Sequence, residues 1–223
     1  MKYFLSLLVI AASTRYGSSI GNLNTSRNVV KELTVSNGGN YGFWTPEQFC
    51  PEGTFALGYN MKIEGNQFAG DDTALNAIRL ICGDLSGHLK VGADITSGTG
   101  PFGTWEKTET CNEPYHDANF LTAFALQVEA PQGSGDDTSA NYVKFYCRDL
   151  DGHNAETELV RAPGVGYWGS FGEWSQSCDN STAICGLATK VEPVQGGGDD
   201  TSLNDAVFYC CELKENPGNV VGK

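Results

Sequence analysis

Basic residues are scarce in this 223-residue chain. Lys and Arg total 14 against 27 Asp and Glu, a formal net charge of −13. Binding a phosphate backbone needs a cationic footprint, so nucleic acid is excluded as a partner, while cationic proteins and uncharged glycans stay open. Histidine occurs three times (His88, His116 and His153), with no repeated nucleophile beside it, which argues against a catalytic triad. The G-x-S-x-G, P-loop and HExxH patterns are missing, and no two cysteines stand in C-x-x-C spacing, so neither a cofactor nor a metal is expected. No segment carries a helical apolar stripe, and the 28 glycines follow no triplet. Long apolar runs are lacking too. The longest, Phe4 to Ala12, is nine residues and follows Lys2, which reads as a secretory signal peptide over 1–19 rather than a membrane anchor. Its removal takes two cations and no acid, leaving 12 − 27 = −15. A secreted, extracellular protein without membrane insertion is expected.

The eight cysteines fit that compartment. An even number in a secreted chain implies four disulfides, with 105 possible connectivities. Two sequons, at Asn24 and Asn180, are candidate N-glycosylation sites.

An internal repeat organises the chain. Asp-Asp-Thr recurs at 71–73, 136–138 and 199–201. A cysteine follows each first Asp by eleven positions (Cys82, Cys147, Cys210), and a glutamate precedes it by seven (Glu64, Glu129, Glu192). Upstream, Gly-x-aromatic-Gly-x-Trp reads as Gly39-Asn-Tyr-Gly-Phe-Trp44, Gly100-Pro-Phe-Gly-Thr-Trp105 and Gly169-Ser-Phe-Gly-Glu-Trp174, each followed by a cysteine. Repeat logic pairs Cys50–Cys82, Cys111–Cys147 and Cys178–Cys210, leaving Cys185–Cys211 as an extra staple in the third unit. Within each unit the apolar period is two, as in Phe55, Leu57, Tyr59, Met61 and Ile63, with short strands at 33–36, 91–95 and 159–162 bringing the count to four. A four-stranded sheet with one apolar face cannot bury it alone, but three can close around a shared core. This predicts an all-β chain with one sheet per repeat.

The Gly-x-aromatic-Gly-x-Trp blocks, the Glu-ended strands and the Gly-Asp-Asp-Thr segments resemble the vitelline membrane outer layer protein 1 family. The nearest stretch is Ile184-Cys-Gly-Leu-Ala-Thr-Lys-Val-Glu192, followed by Gly-Asp-Asp-Thr-Ser-Leu-Asn204 and Phe208-Tyr-Cys-Cys211. The resemblance implies a β-prism of three four-stranded antiparallel Greek-key sheets with pseudo-threefold symmetry. It also implies an extracellular coat protein with affinity for N-acetylglucosamine oligosaccharides and a glycosyl-transfer activity. The expected layout is a signal peptide (1–19), an extension (20–29), one prism domain (30–211, with units at about 30–84, 85–149 and 150–211) and a tail (212–223).

Each motif has a structural and a functional reading. The tryptophans either plug the prism core, the favoured reading, or present a platform to a sugar face. The Asp-Asp-Thr segments cap turns or gather ligands for Ca²⁺, the turn being favoured. Asn76, Asn141 and Asn204 read as buried hydrogen-bonders. Threefold closure should bring Glu64, Asp71, Asp72, Glu129, Asp136, Asp137, Glu192, Asp199 and Asp200 to one end of the axis as candidate carbohydrate-binding residues; composition does not make them a catalytic pair. The residues favour a disulfide-stabilised secreted scaffold, and the resemblance implies that it is a component of an extracellular coat or barrier that contacts glycans or coat glycoproteins. A lectin and a glycosyl-transferring enzyme acting on chito-oligosaccharides are the alternatives. Net acidity also fits basic secreted partners, and the resemblance implies one of lysozyme type.

Overall fold

A computed structural model of the chain describes residues 25–66, 73–111, 118–130, 138–195 and 201–213. The expected signal peptide (1–19), Asn24, Asp71, Asp72, Asp136, Asp137, Asp199 and Asp200 lie outside the described residues. The described chain contains fourteen strands and no helix, in accord with the period-two pattern. In order they are β1 (Val29–Leu33), β2 (Phe43–Trp44), β3 (Gln48–Phe49), β4 (Phe55–Ile63), β5 (Leu75–Gly83), β6 (Ile95–Thr96) and β7 (Thr104–Trp105). Then follow β8 (Glu109–Thr110), β9 (Asn119–Val128), β10 (Ala140–Asp149), β11 (Thr157–Leu159), β12 (Ser170–Phe171), β13 (Thr182–Val191) and β14 (Leu203–Glu212).

Three antiparallel sheets form, each built on one long hairpin: β4–β5, β9–β10 and β13–β14. Their orders are β6-β5-β4-β7, β11-β10-β9-β12 and β1-β14-β13-β2, with β8 and β3 continuing β7 and β2 as broken edge strands. The fourth strand of each sheet returns beside the first, which is Greek-key order. The sheets are not one per repeat. Each hairpin recruits its short strands from the next unit, across the boundaries at 84/85 and 149/150. The third hairpin takes β1, β2 and β3 from the first unit, with Leu33 opposite Phe208 and Trp44 opposite Lys190. The N-terminal segment thereby closes the prism. The short strands also fall at 29–33, 95–96 and 157–159 rather than at 33–36, 91–95 and 159–162.

The sheets share one axial core. Register places Tyr59 opposite Leu80, Phe124 opposite Phe145 and Leu187 opposite Phe208, one such pair in each sheet, all buried. The aromatic members pack in tilted and edge-to-face contacts, with centroids 4.8 Å apart for Tyr59–Phe145, 4.6 Å for Phe124–Phe208 and 5.1 Å for Phe145–Phe208. A bulge between Ala56 and Gly58 interrupts the alternation in β4: Ala56 joins the axial core, while Phe55 and Leu57 join a second cluster with Phe120, Tyr209 and Cys211. Four disulfides are present, Cys50–Cys82, Cys111–Cys147, Cys178–Cys210 and Cys185–Cys211. The first three tie the segment after each glycine motif to the second strand of a hairpin.

The tryptophans do not plug the core. None of the four is buried, and Trp44 is 49% exposed. They lie on edge strands and loops against the outer faces of the sheets. Trp105 carries the Arg79 guanidinium 4.0 Å above its ring, and Trp174 stacks on Tyr146 at 3.7 Å. The third glycine motif also lies three residues earlier than the sequence pattern indicates. Gly42, Gly103 and Gly169 share a positive φ (80°, 73° and 73°), and the strands after them are β2, β7 and β12. The equivalent block is therefore Gly166-Tyr-Trp-Gly-Ser-Phe171, which makes Phe171, not Trp174, the counterpart of Trp44 and Trp105.

Candidate functional site

At one end of the prism, the rim, the strand-end glutamates meet the glycine loops. Positive φ is needed at Gly42, Gly103 and Gly169 because each backs onto the peptide that precedes a glutamate. A Cβ there would lie 2.4 Å from the Val191 carbonyl, 2.4 Å from that of Ile63 and 2.2 Å from that of Val128. Lys62, Gln127 and Lys190 hold the same loops from the sheet side, donating to the carbonyls of Gly100 (2.8 Å), Trp168 (2.7 Å) and Asn40 (2.7 Å).

One network recurs three times. Thr73 donates its backbone N–H (3.2 Å) and its hydroxyl (2.7 Å) to Glu64 Oε2, while Asn76 Nδ2 donates to Thr73 Oγ1 at 2.6 Å. Thr138 serves Glu129 and receives Asn141 with 3.2, 2.7 and 2.7 Å. Thr201 serves Glu192 and receives Asn204 with 3.2, 2.6 and 2.6 Å. Behind each threonine, Ala74, Ser139 or Ser202 adopts a left-handed φ of 48°, 55° or 51°, which turns its carbonyl to accept the glutamate N–H. The three asparagines are at most 1% exposed. The units touch across the axis here, Ser139 Oγ donating to Asn204 Oδ1 and Ser202 Oγ to Asn76 Oδ1. The rim thus gathers Glu64, Glu129 and Glu192 at one end of the axis and holds each at its own joint.

Among the described residues, clefts open at two joints. The Glu129 cleft, about 360 Å³, is lined by Ser139, Phe171, Asn37, Asn40 and Tyr41. The Glu64 cleft, about 450 Å³, is lined by Ala74, Asn141, Glu106, Arg161 and Tyr167. In the latter, Arg161 Nη2 pairs with Glu106 Oε2 at 2.5 Å, the Arg161 N–H donates to Tyr59 Oη at 3.0 Å, and Tyr142 Oη donates to the Arg161 carbonyl at 2.8 Å. At the third joint Glu192 Oε1 accepts from Gln195 Nε2 at 2.5 Å. Tyr41, Phe43, Phe102 and Tyr167 leave the rim rich in exposed rings, with Phe43 at 75% and Tyr167 at 70%. Fixed acceptors, backbone groups and exposed rings suit a neutral, hydroxyl-bearing ligand.

Glu106, Arg161, Tyr167 and Asn37 were not among the candidates drawn from sequence. They stand at positions whose residue type changes between units, as where Tyr167 matches Asn40 and Pro101 and Glu106 matches Thr45 and Gly172, so the repeat does not mark them. Asn180 is exposed on the turn before β13, at the end of the prism opposite the rim, where Thr182 Oγ1 donates to the Asp179 carbonyl at 2.7 Å.

The family model for vitelline membrane outer layer protein I matches residues 31–213, and the chain belongs to that family. It is 42% identical over 182 residues to the vitelline membrane outer layer protein 1 homolog of Homo sapiens, covering 80% of this chain and 82% of that one. Against the Mus musculus homolog it is 38% identical over 208 residues, 92% and 95% of the two chains. Among solved structures, it is similar to a mannose-specific jacalin-related lectin from Morus nigra in complex with mannose. The TM-score is 0.47 at 15% identity, over 85% of this chain and 98% of that one.

Proposed function

We propose that this protein is a secreted, disulfide-stabilised component of an extracellular coat or barrier, such as the outer vitelline layer, and that its rim contacts N-acetylglucosamine-containing glycans. The observation that carries this reading is the pairing of immobilised rim carboxylates with exposed aromatic rings around two clefts. An aromatic face covers a pyranose ring, and a fixed carboxylate accepts from its hydroxyls. Four disulfides and membership of the family support the extracellular setting. In this reading residues 1–19 are cleaved, 30–211 form the working domain, and the Asp-Asp-Thr carboxylates extend the rim's acceptor set. A glycan on Asn180 leaves the rim clear. The net charge of −13 favours basic secreted partners through long-range attraction that salt screens.

Titration with chito-oligosaccharides, followed by tryptophan fluorescence and by analysis of the sugar afterwards, tests the reading. The expected result is saturable binding that Glu64→Gln or Glu129→Gln weakens, with the oligosaccharide recovered unchanged. Newly formed longer or shorter oligomers would favour glycosyl transfer instead. Absence of saturable binding across the series would leave a coat scaffold without a glycan site.

A further inference from the structure

The three rim joints are built alike and finished differently. Asn204 Oδ1 receives two donors, the Tyr41 N–H at 3.3 Å and Ser139 Oγ at 2.8 Å. Asn76 Oδ1 also receives two, the Phe102 N–H at 3.2 Å and Ser202 Oγ at 3.0 Å. Asn141 Oδ1 receives the Trp168 N–H at 3.1 Å, and the residue in the serine's place is Ala74. The backbone there is the same as at the two serines, and the hydroxyl is absent. Among the described residues no second donor reaches Asn141 Oδ1. Asn141 is 1% exposed, so this acceptor sits out of bulk water with one donor where its two counterparts have two, and one lone pair is open to a further donor.

Packing is looser where the donor is missing. A Cβ on Gly39 would lie 2.1 Å from Ser139 Oγ, and one on Gly100 would lie 1.9 Å from Ser202 Oγ. At Gly166, the equivalent glycine, the nearest atoms are Asn141 Cβ at 3.0 Å and its backbone oxygen at 3.1 Å, with no hydroxyl among them. Ala74 and Asn141 both line the larger Glu64 cleft, whereas Ser139 lines the smaller one. Charge narrows the ligand class. The Arg161 guanidinium gives Nη2 to Glu106 and Nη1 to the Ala162 carbonyl (2.8 Å), its Nε–H being buried without a partner, and Glu64 adds a second carboxylate, so among the described lining residues two carboxylates face one cation and an anionic group is disfavoured.

We propose that the Ala74 vacancy makes the Glu64 cleft the principal subsite for a neutral saccharide, one of whose hydroxyls donates to Asn141 Oδ1 as Ser139 and Ser202 donate at the other two joints. The inference rests on the carbohydrate reading above and selects, within it, one cleft, one acceptor and uncharged over sialylated or sulfated sugars.

Ala74→Ser tests it. Serine already adopts this φ at positions 139 and 202, so the variant should fold, and its hydroxyl should complete the third joint and raise the melting temperature by about 2–4 °C. With chitotriose as the probe, the wild type should bind and move the Trp168 backbone amide resonance, because that N–H shares the acceptor. Ala74→Ser should bind at least tenfold more weakly. Equal affinity in the two proteins, a Trp168 amide unmoved at saturation, or an unchanged melting temperature in the variant each overturns the subsite and leaves glycan binding at the rim intact. Silence of the wild type toward every neutral saccharide overturns the carbohydrate reading itself.

Discussion

The axial core and the rim are built from the same three hairpins, yet they follow different rules. Midway along the strands, equivalent positions hold Tyr59, Phe124 and Leu187 on one side and Leu80, Phe145 and Phe208 on the other. Tyr, Phe and Leu interchange because apolar packing depends on volume and contact, and neighbours absorb a difference in shape. A few residues further on, the rim repeats Glu, Thr and Asn without variation, since a hydrogen bond depends on direction and a buried partner left unmade is expensive. A departure from threefold identity is therefore tolerated in the core and consequential at the rim. Ala74 is such a departure.

Breaking the core should give the largest effect. Phe145 contacts both Tyr59 and Phe208, so its ring bridges contributions from all three sheets. Phe145→Ala should cost about 3–5 kcal/mol in denaturant unfolding. A loss under about 1 kcal/mol would mean that the sheets do not share one core. Next is the bridge found in one unit alone. Replacing both Cys185 and Cys211 by Ala removes a closure of 26 residues, an expected loss of about 3 kcal/mol, with the threefold-related bridges still paired in a non-reducing peptide map.

The contrast between core and rim also explains what the sequence reveals. The offsets of Glu64, Thr73, Asn76 and Cys82 recur because they serve directional bonds and bridges, so they are visible by eye and suffice for three all-β units around one core. The sheet boundaries are not visible, because a cyclic repeat reads the same wherever it is cut. That the described residues open on short strands and close on a hairpin makes sense only once β1 is seen pairing with β14. The third glycine block is misread because Gly169-Ser-Phe-Gly-Glu-Trp174 satisfies the pattern by coincidence. Trp44 and Trp105 each precede a cysteine by six residues, whereas Phe171 precedes Cys178 by seven, and that one extra residue hides the true register. The alignment of Ala74 with Ser139 and Ser202 is legible, but its meaning needs Asn141 Oδ1 in view.

Sharpening the comparison at the rim calls for a milder change. Thr138→Val keeps the shape while removing the hydroxyl that joins Asn141 to Glu129, and it should cost about 2 kcal/mol. Thr73→Val and Thr201→Val should cost the same within about 0.5 kcal/mol, since their distances agree within 0.1 Å. Truncation to Ala at Leu80, Phe145 and Phe208 should scatter more widely. Unequal threonine losses and equal core losses would reverse the contrast.

The smallest effect comes from Asp205, where the third unit breaks symmetry next to its invariant asparagine; the equivalent residues are Ala77 and Tyr142. Its carboxyl lies against the Gly38 backbone, where a Cβ would meet Asp205 Cγ at 2.1 Å, and Oδ1 accepts the Ala206 N–H at 2.8 Å. Burial pushes its pKa up to about 6, against the opposing influence of that hydrogen bond and of Lys190. Because the folded-state value lies above the unfolded one of 3.8, the folded protein binds the extra proton between them. This contribution to stability is therefore full below pH 3.8, declines as pH rises and is gone above about pH 6. Asn keeps the acceptor for Ala206 without the charge. Asp205→Asn should accordingly be more stable than the wild type at pH 7 by about 1–2 kcal/mol, a figure discounted for the solvent that reaches this residue. Below pH 4 the advantage should vanish. Stability curves of the two proteins that stay parallel from pH 4 to pH 7 would show that Asp205 is ionised at no cost, and that its loop admits more water than its packing against Gly38 implies.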